Sequence, residues 1–337
     1  MIAAVDATPL TVSSGGVRRY TEQLTKALQS IFPDDEFHLI SDQVPPAQGL
    51  DRRWWTIGVQ RAMRRLRCDV FHGTDFSVPY LPLRPSILTL HDLSPWMDQG
   101  WHHNAARVRR RTPYLVKWGI ATMIITDTEA IRRQAIDYFG IDPQRIVAVH
   151  LAASAEFRPV ESPRPERPYF LYVGTLEPRK NVPALVEAWW EVRARHDVDL
   201  ILAGRWREDA PAISPAGGLR VRGEVAEKEL PSLYSGALAC VYPTLYEGFG
   251  LPVLEAMQCG CPVITSRDAA VQEVAGGAAV HVDSYSLGEA MEALLNNPEE
   301  RRRRSELSLR RAADFSWSQT ACQTREVYSE AIRRFHG

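Results

Sequence analysis

The sequence contains no run of about 18 apolar residues, so no membrane-spanning helix is expected. Its start, Met1-Ile2-Ala3-Ala4-Val5-Asp6, lacks the basic front and long apolar stretch of a signal peptide and reads instead as a strand. Neither charge sign is in excess, since 40 Lys and Arg stand against 41 Asp and Glu. The net charge of −1 implies no bulk affinity for nucleic acid or acidic lipid, so any basic patch must be local. Cysteine is scarce and odd in number. Cys68, Cys240, Cys259, Cys261 and Cys322 show no framework spacing, which points to reduced thiols in the cytoplasm. Cys259-Gly260-Cys261 has no second pair and no nearby histidine, so a metal site is not expected there. The Gly-x-Gly-x-x-Gly dinucleotide fingerprint is also missing.

What is present is a soluble, globular composition, 45% hydrophobic and 24% charged, over 337 residues, long enough for two domains. Short apolar runs alternate with amphipathic stretches: Ile2–Val5, Phe37–Ile40, Val70–His72, Ile87–His91, Met123–Thr126 and Val147–Val149 read as strands. Tyr20–Ile31 and Glu129–Phe139 read as helices. Glu156 to Pro168, carrying Pro159, Pro163, Pro165 and Pro168, reads as a linker because proline cannot donate to a sheet. The alternation then restarts with strands at Phe170–Val173, Leu200–Ala203, Leu238–Tyr242 and Pro262–Thr265, and helices at Val182–Ala194 and after Pro252. A last helix spans Ser318–Phe335. The expectation is an α/β protein of two Rossmann-like domains, residues 1–158 and 159–317, followed by the helix of 318–337. Strand–helix alternation implies parallel sheets, whose ligands sit beyond the carboxyl ends of the strands. The cleft between two such domains is the expected active site.

The segment richest in chemistry is Glu247-Gly248-Phe249-Gly250-Leu251-Pro252-Val253-Leu254-Glu255. Its glycines permit close backbone approach or positive φ, and Pro252 suits the first turn of a helix, which would place Glu255 in that turn. As one continuous helix the two glutamates would stand about 12 Å apart along the axis. Retaining glycosidase pairs sit at about 5–5.5 Å. The segment reads instead as two carboxylates gripping different parts of one ligand, with helix-start N–H groups facing an anion.

Other segments carry weaker signals. Gly174-Thr175-Leu176-Glu177-Pro178-Arg179-Lys180-Asn181 follows a strand, and its adjacent cations suit a diphosphate whose charge grows in the transition state, or else form a solvated turn. Ser14-Gly15-Gly16-Val17-Arg18-Arg19-Tyr20 is a Gly-rich loop entering a helix. His91-Asp92 at a strand end can touch a ligand or serve as a satisfied structural pair, and His72 is a lesser candidate. Asp197-Val198-Asp199 imitates a metal-binding Asp-x-Asp but reads as a polar turn before a strand. Trp101, His102, His103, Arg107, Arg109, Arg110, Arg111, Lys117 and Trp118 gather cations and aromatics, either for peripheral contact with anionic lipid on the inner membrane face or as a solvated helix face.

Together these segments resemble glycosyltransferase family 4, retaining enzymes of the GT-B fold, over nearly the whole chain. The densest likeness runs from Glu224 to Ser266, including Tyr246 to Met257 with its Glu-x7-Glu spacing and Gly260-Cys261-Pro262-Val263-Ile264-Thr265-Ser266. Val173 to Asn181, His72-Gly73-Thr74 and His91-Asp92-Leu93-Ser94 look most like the bacterial mannosyltransferase-like branch that builds surface polysaccharides.

The resemblance implies a retaining hexosyltransferase without metal or cofactor, taking a nucleotide sugar, GDP-mannose, to a saccharide or lipid-linked acceptor. It implies that Glu247 contacts the sugar hydroxyls, with the backbone at Gly248, Phe249, Gly250 and Leu251 beside it. Glu255 binds the ribose, and Arg179 and Lys180 hold the diphosphate with Gly15 and Gly16 opposite. His91 lies by the sugar, Gly223, Glu224 and Val225 lie by the base, near Arg205, and the helix of 318–337 crosses back to the first domain. Two departures stand out: Thr175 where many members have Arg, and Arg18 where close relatives have Gly. The rival expectations are a sugar-nucleotide epimerase or hydrolase of similar fold and a non-catalytic nucleotide-sugar-binding partner.

Overall fold

The computed structural model describes residues 1–11, 15–42, 53–102, 105–161, 165–210, 213 and 217–336. Ser14, His103, Pro163 and Gly337, named above, lie outside the described residues. Contacts divide the chain into two compact units, Met1–Leu151 with Ser316–Gly337, and Ala152–Phe315. The first unit therefore ends ahead of the proline-rich stretch, and the chain re-enters it just before the last helix.

The first unit holds a parallel sheet of β1 (Ile2–Asp6), β2 (Glu36–Ile40), β3 (Val70–Gly73), β4 (Ser86–Leu90), β5 (Met123–Thr126) and β6 (Ile146–Ala148), ordered β2-β1-β3-β4-β5-β6. The second holds β7 (Tyr169–Val173), β8 (Asp199–Ala203), β9 (Leu219–Gly223), β10 (Ala239–Tyr242), β11 (Val263–Thr265) and β12 (Val280–His281), also parallel, ordered β12-β11-β10-β7-β8-β9. β3, β4, β5, β7, β8 and β10 are buried at every position. Continuous burial is what parallel strands covered by helices on both faces require, and it explains the unbroken apolar runs.

Strand order reverses between β1 and β3 in the first sheet and between β7 and β10 in the second. Connections leaving the two strands at such a point run to opposite faces and open a crevice beyond their carboxyl ends. The loops after β7 and β10 carry the Arg-Lys and Glu-rich segments, so topology brings together residues far apart in sequence.

The expected strands and helices are present with ends shifted by a few residues; the first helix, for instance, begins at Gly16 rather than Tyr20. β9 and β12 were not anticipated. The last helix, Trp317–His336, packs in the first unit. Its Tyr328 hydroxyl lies 2.7 Å from His72 Nδ1, Arg325 Nε reaches Asp35 at 2.9 Å, and the Thr320 hydroxyl donates to the His150 carbonyl at 2.7 Å.

Candidate functional site

In the second unit, β7 runs through Gly174 into a short turn, Pro178–Lys180, and β10 ends one residue before Pro243. The Leu245 N–H donates to the Arg179 carbonyl at 2.9 Å, tying the two loops together. Across this tie Lys180 Nζ makes a close contact with Glu247 Oε1. Lys180 also donates to the Tyr242 hydroxyl at 3.0 Å, which in turn donates to Glu247 Oε1 at 2.9 Å. The Thr244 hydroxyl lies 3.0 Å from the same oxygen. The other oxygen, Oε2, faces Arg179 Nη1 at 3.5 Å. Oε1 thus gathers the Lys180, Tyr242 and Thr244 donors, while Oε2 faces Arg179.

Glu247 is only 6% exposed and Lys180 7%. Burial works to raise the Glu247 carboxyl, yet the Lys180 and Arg179 charges more than offset it and hold it below the usual range. Burial, aided by the Arg179 charge, draws the Lys180 ammonium below its ordinary value despite Glu247. Arg179 is held by Glu177, at 3.1 Å from Nε and 2.9 Å from Nη2, and by the Tyr246 carbonyl at 3.1 Å. Glu177 also pairs with Arg207. A phosphate approaching Arg179 therefore competes with a carboxylate already in place.

The Glu247 backbone N–H donates to Asp268 Oδ2 at 3.3 Å, while Asp268 caps the helix Ala269–Ala275. Burial raises the Asp268 carboxyl to about 6. The loop then turns at Gly250, whose φ of 87° suits glycine and where a Cβ would stand 3.2 Å from Val271 Cγ2. The helix Leu251–Gln258 starts at the next residue, with Pro252 in its first turn. Glu255 lies one turn deeper than expected: the first turn of this helix holds no acid. Its carboxylate is buried and receives the Tyr234 hydroxyl at 3.2 Å. Phe249 is buried edge-on against Phe315, with ring centroids 5.9 Å apart, so its side chain anchors the loop and leaves only the backbone to meet a ligand.

Gly223 ends β9, its carbonyl accepting from the Gly204 N–H at 2.7 Å, so Gly223, Glu224 and Val225 lie beside the loop after β8. Arg205 and Glu224 expose their side chains, and the Thr175 carbonyl accepts from the Tyr172 hydroxyl at 3.1 Å. Asp197 is exposed and bonded to Arg193 and Arg167, whereas Asp199 is buried against Arg220 at 2.6 Å. Both precede or begin β8, at the amino end of the strands, opposite the loops just described.

In the first unit, His91 follows β4 and is buried, with Nδ1 2.8 Å from Asp127 Oδ2 and Nε2 2.8 Å from the Thr74 carbonyl. Both partners only accept, so both ring nitrogens carry protons. Burial opposes that charge, but the Asp127 carboxylate outweighs it and lifts His91 to about 9. His72 is the opposite case. Its nitrogens meet the Tyr328 and Thr89 hydroxyls, each at 2.7 Å, and burial keeps it neutral, at about 3. It braces the last helix. Gly15 (φ 133°) and Gly16 open the helix Gly16–Ile31 with nothing within 4 Å of a built Cβ, leaving bare backbone at the helix start. Arg18 turns back onto the Leu10 carbonyl.

The structure thus joins Arg179, Lys180 and Glu247 in one cluster, with Gly248 to Leu251 and Glu255 next along the chain. Gly15, Gly16 and His91 belong to the other unit. Sequence reasoning missed Glu177, Tyr242, Thr244, Asp127 and Asp268. Asp268 had a visible signal, an acid directly ahead of Ala269-Ala270-Val271, the pattern of a helix cap.

The chain matches the family profile described as "Glycosyl transferases group 1" over residues 154–309 and that described as "Glycosyltransferase Family 4" over residues 14–157. It is 33% identical over 293 residues to O-antigen chain mannosyltransferase B of Escherichia coli, covering 79% of this chain and 76% of that protein. Among solved structures it resembles sucrose-phosphate synthase from Thermosynechococcus elongatus, with a TM-score of 0.77 at 18% identity over 98% and 99% of the two chains. It also resembles the Anabaena protein HepE in complex with UDP and glucose, with a TM-score of 0.73 at 15% identity over 98% and 99% of the chains.

Proposed function

Because the chain belongs to glycosyltransferase family 4, we propose that it is a retaining, metal-independent hexosyltransferase that moves mannose from GDP-mannose to a saccharide or lipid-linked saccharide acceptor in surface glycoconjugate synthesis. The observation that carries the reading is the buried Lys180–Glu247 contact at the strand-order reversal, with Arg179 beside it. Glu247 Oε2 accepts a hydroxyl of the donor sugar. Lys180 and Arg179 stabilise the charge that develops on the departing diphosphate, and fixed donors in a buried site act without reorganising during reaction. Backbone N–H groups from Gly248 to Leu251 and at Gly15 and Gly16 serve as further anion contacts. Glu255 holds the ribose, and Gly223, Glu224 and Val225 line the base.

The C1–O bond to the diphosphate breaks and the acceptor oxygen bonds to C1 from the same side. The acceptor proton passes to a phosphate oxygen. His91, already doubly protonated, is a fixed positive charge rather than a base. The mannosyl donor is supported by the Escherichia coli relative and by the likeness at Gly174 to Asn181. Five free thiols suit a reducing compartment, and no described helix is long and apolar enough to cross a membrane. Trp118, 70% exposed after the basic helix Ala106–Lys117, supports peripheral contact with the inner membrane face.

The test is incubation with GDP-mannose, UDP-glucose or ADP-glucose and a mannosyl acceptor, followed by NMR of the product. An α-mannoside is expected. A β-linked product overturns retention, transfer from the UDP-sugar alone overturns the donor, and hydrolysis without transfer overturns the transferase assignment.

A further inference from the structure

A cavity of about 510 Å³ in the first unit is lined by none of His91, Gly15 or Gly16 and lies partly on the basic helix Ala106–Lys117. Its walls include Trp55, Tyr80 and Tyr114, and its charged groups are Arg53, Arg107 and Arg111. Arg107 and Arg111 stand one turn apart on the helix Ala106–Lys117 and converge on one atom. Arg111 Nη1 donates to the Tyr80 hydroxyl at 2.6 Å and Arg107 Nη2 donates to it at 3.1 Å. The Arg111 guanidinium also lies over the Tyr80 ring, 5.0 Å from its centroid.

No carboxylate lines the cavity, and among the described residues Arg107 and Arg111 have the Tyr80 hydroxyl and no carboxylate as partner. Like charges at this spacing on a helix repel, and an anion held between the two guanidiniums relieves that repulsion. With two guanidiniums donating to its oxygen, the Tyr80 hydroxyl keeps its own proton to give. The polar lining therefore presents donors, in the forked arrangement that suits phosphate oxygens. The rim is apolar and open: Tyr114 is 53% exposed, and its ring stands 5.2 Å from that of Trp118.

Anion-directed donors beneath an exposed aromatic rim fit an amphiphile with a phosphorylated head. We propose that this cavity binds the phosphate or diphosphate ester of the acceptor, with the acceptor's hydrocarbon part lying over Tyr114 and Trp118. The inference rests on the transferase reading only in calling this ligand the acceptor. Binding of the ester does not depend on it.

The experiment uses the full chain with GDP in excess to occupy the donor site. Farnesyl diphosphate, inorganic pyrophosphate and farnesol are titrated calorimetrically, beside co-sedimentation with phosphatidylglycerol vesicles. Farnesyl diphosphate is expected to bind more tightly than pyrophosphate, and farnesol at least tenfold more weakly. Arg107→Gln with Arg111→Gln should weaken farnesyl diphosphate at least tenfold while GDP still raises the melting temperature as in the parent protein. In the unaltered protein, pyrophosphate should protect Arg107 and Arg111 from phenylglyoxal, read by peptide mass spectrometry, so the test survives a variant that fails to fold. Undiminished binding by the double variant, farnesol binding as well as the diphosphate, or absence of protection overturns the proposal. So does vesicle binding that needs the arginines while neither soluble diphosphate binds, since that marks a general lipid patch. Loss of the GDP effect in the unaltered protein instead sinks the donor reading and leaves the diphosphate result standing.

Discussion

Lys180 and Glu247, 67 positions apart, meet in a buried contact in which the Tyr242 hydroxyl bonds to both partners. Removing one member of such a pair strands a buried charge, at a cost of about 3–5 kcal/mol, whereas replacing both with apolar groups is often neutral. The stability of Lys180→Met and Glu247→Met variants should therefore fall, and the double variant should recover most of the loss in urea melts. Glu247→Gln keeps the shape. Its turnover should drop about 10²–10³-fold, the usual effect of losing one charge-stabilising group, with GDP affinity nearly unchanged. Parent-like turnover would remove Glu247 from the chemistry.

Glu255 should behave differently. Its carboxylate is buried one turn into the helix and held by Tyr234. Glu255→Gln should raise the donor KM and weaken GDP binding about tenfold, with kcat altered much less, because a contact made equally in ground and transition states changes KM alone. Tyr234→Phe should give a smaller loss of the same kind. A change confined to kcat would contradict the ribose assignment.

These contrasts mark how far the sequence could be read. The strands with unbroken apolar runs, such as Tyr169–Val173 and Met123–Thr126, were legible because both faces are buried. β9 was not: Leu219 and Val221 alternate with exposed Arg220 and Arg222 on an edge strand, a short period-2 pattern that two arginines disguise. Arg179, Lys180 and Glu247 were each visible as candidates. Their direct contact with one another was not, because it depends on β7 and β10 being neighbours, which no local pattern states. Tyr242 was legible as a buried strand residue, but which way its hydroxyl points is set by the pleat and the neighbouring loop. His91 stayed ambiguous until Asp127 and the Thr74 carbonyl came into place around it.

The charge on His91 makes stability depend on pH in a defined window. Its pKa is about 9 in the folded chain against 6.5 ordinarily, with Asp127 the main cause against the opposing pull of burial. A group raised in this way stabilises fully below about 6.5, and its contribution is lost as pH climbs through 9. Asp268, at about 6, finishes titrating lower and Cys68, at about 11, starts higher, while Asp6, lifted to about 7 by burial, adds to the fall only at the low end of the window and does so equally in His91→Gln. The melting temperature should therefore fall between pH 7 and 9.5, by about 2–4 °C for each kcal/mol lost. In His91→Gln that slope should be shallower. Parallel slopes in the two proteins would mean that His91 is not protonated when folded.

Metal independence gives the last prediction. A nucleotide diphosphate needs positive charge beside it, and a divalent ion is one way to supply it. Here Lys180 and Arg179 stand at the carboxyl end of the second sheet, next to the helix start at Leu251, and can supply it instead. The two aspartates that imitate a metal motif are otherwise engaged. Asp197 is bonded to Arg193 and Arg167, and Asp199 is buried against Arg220 at the start of β8, the amino end of the sheet. Among the described residues no three His, Cys, Asp or Glu side chains are grouped so as to hold an ion. Activity should survive dialysis against EDTA and gain less than about twofold from added Mg²⁺ or Mn²⁺, whereas Lys180→Gln should lower turnover about 10²-fold or more. Activity abolished by EDTA and restored by Mn²⁺ would transfer the role assigned to Lys180 and Arg179 to a metal ion. Asp197→Asn with Asp199→Asn would then show whether those aspartates hold it, through loss of the Mn²⁺ response.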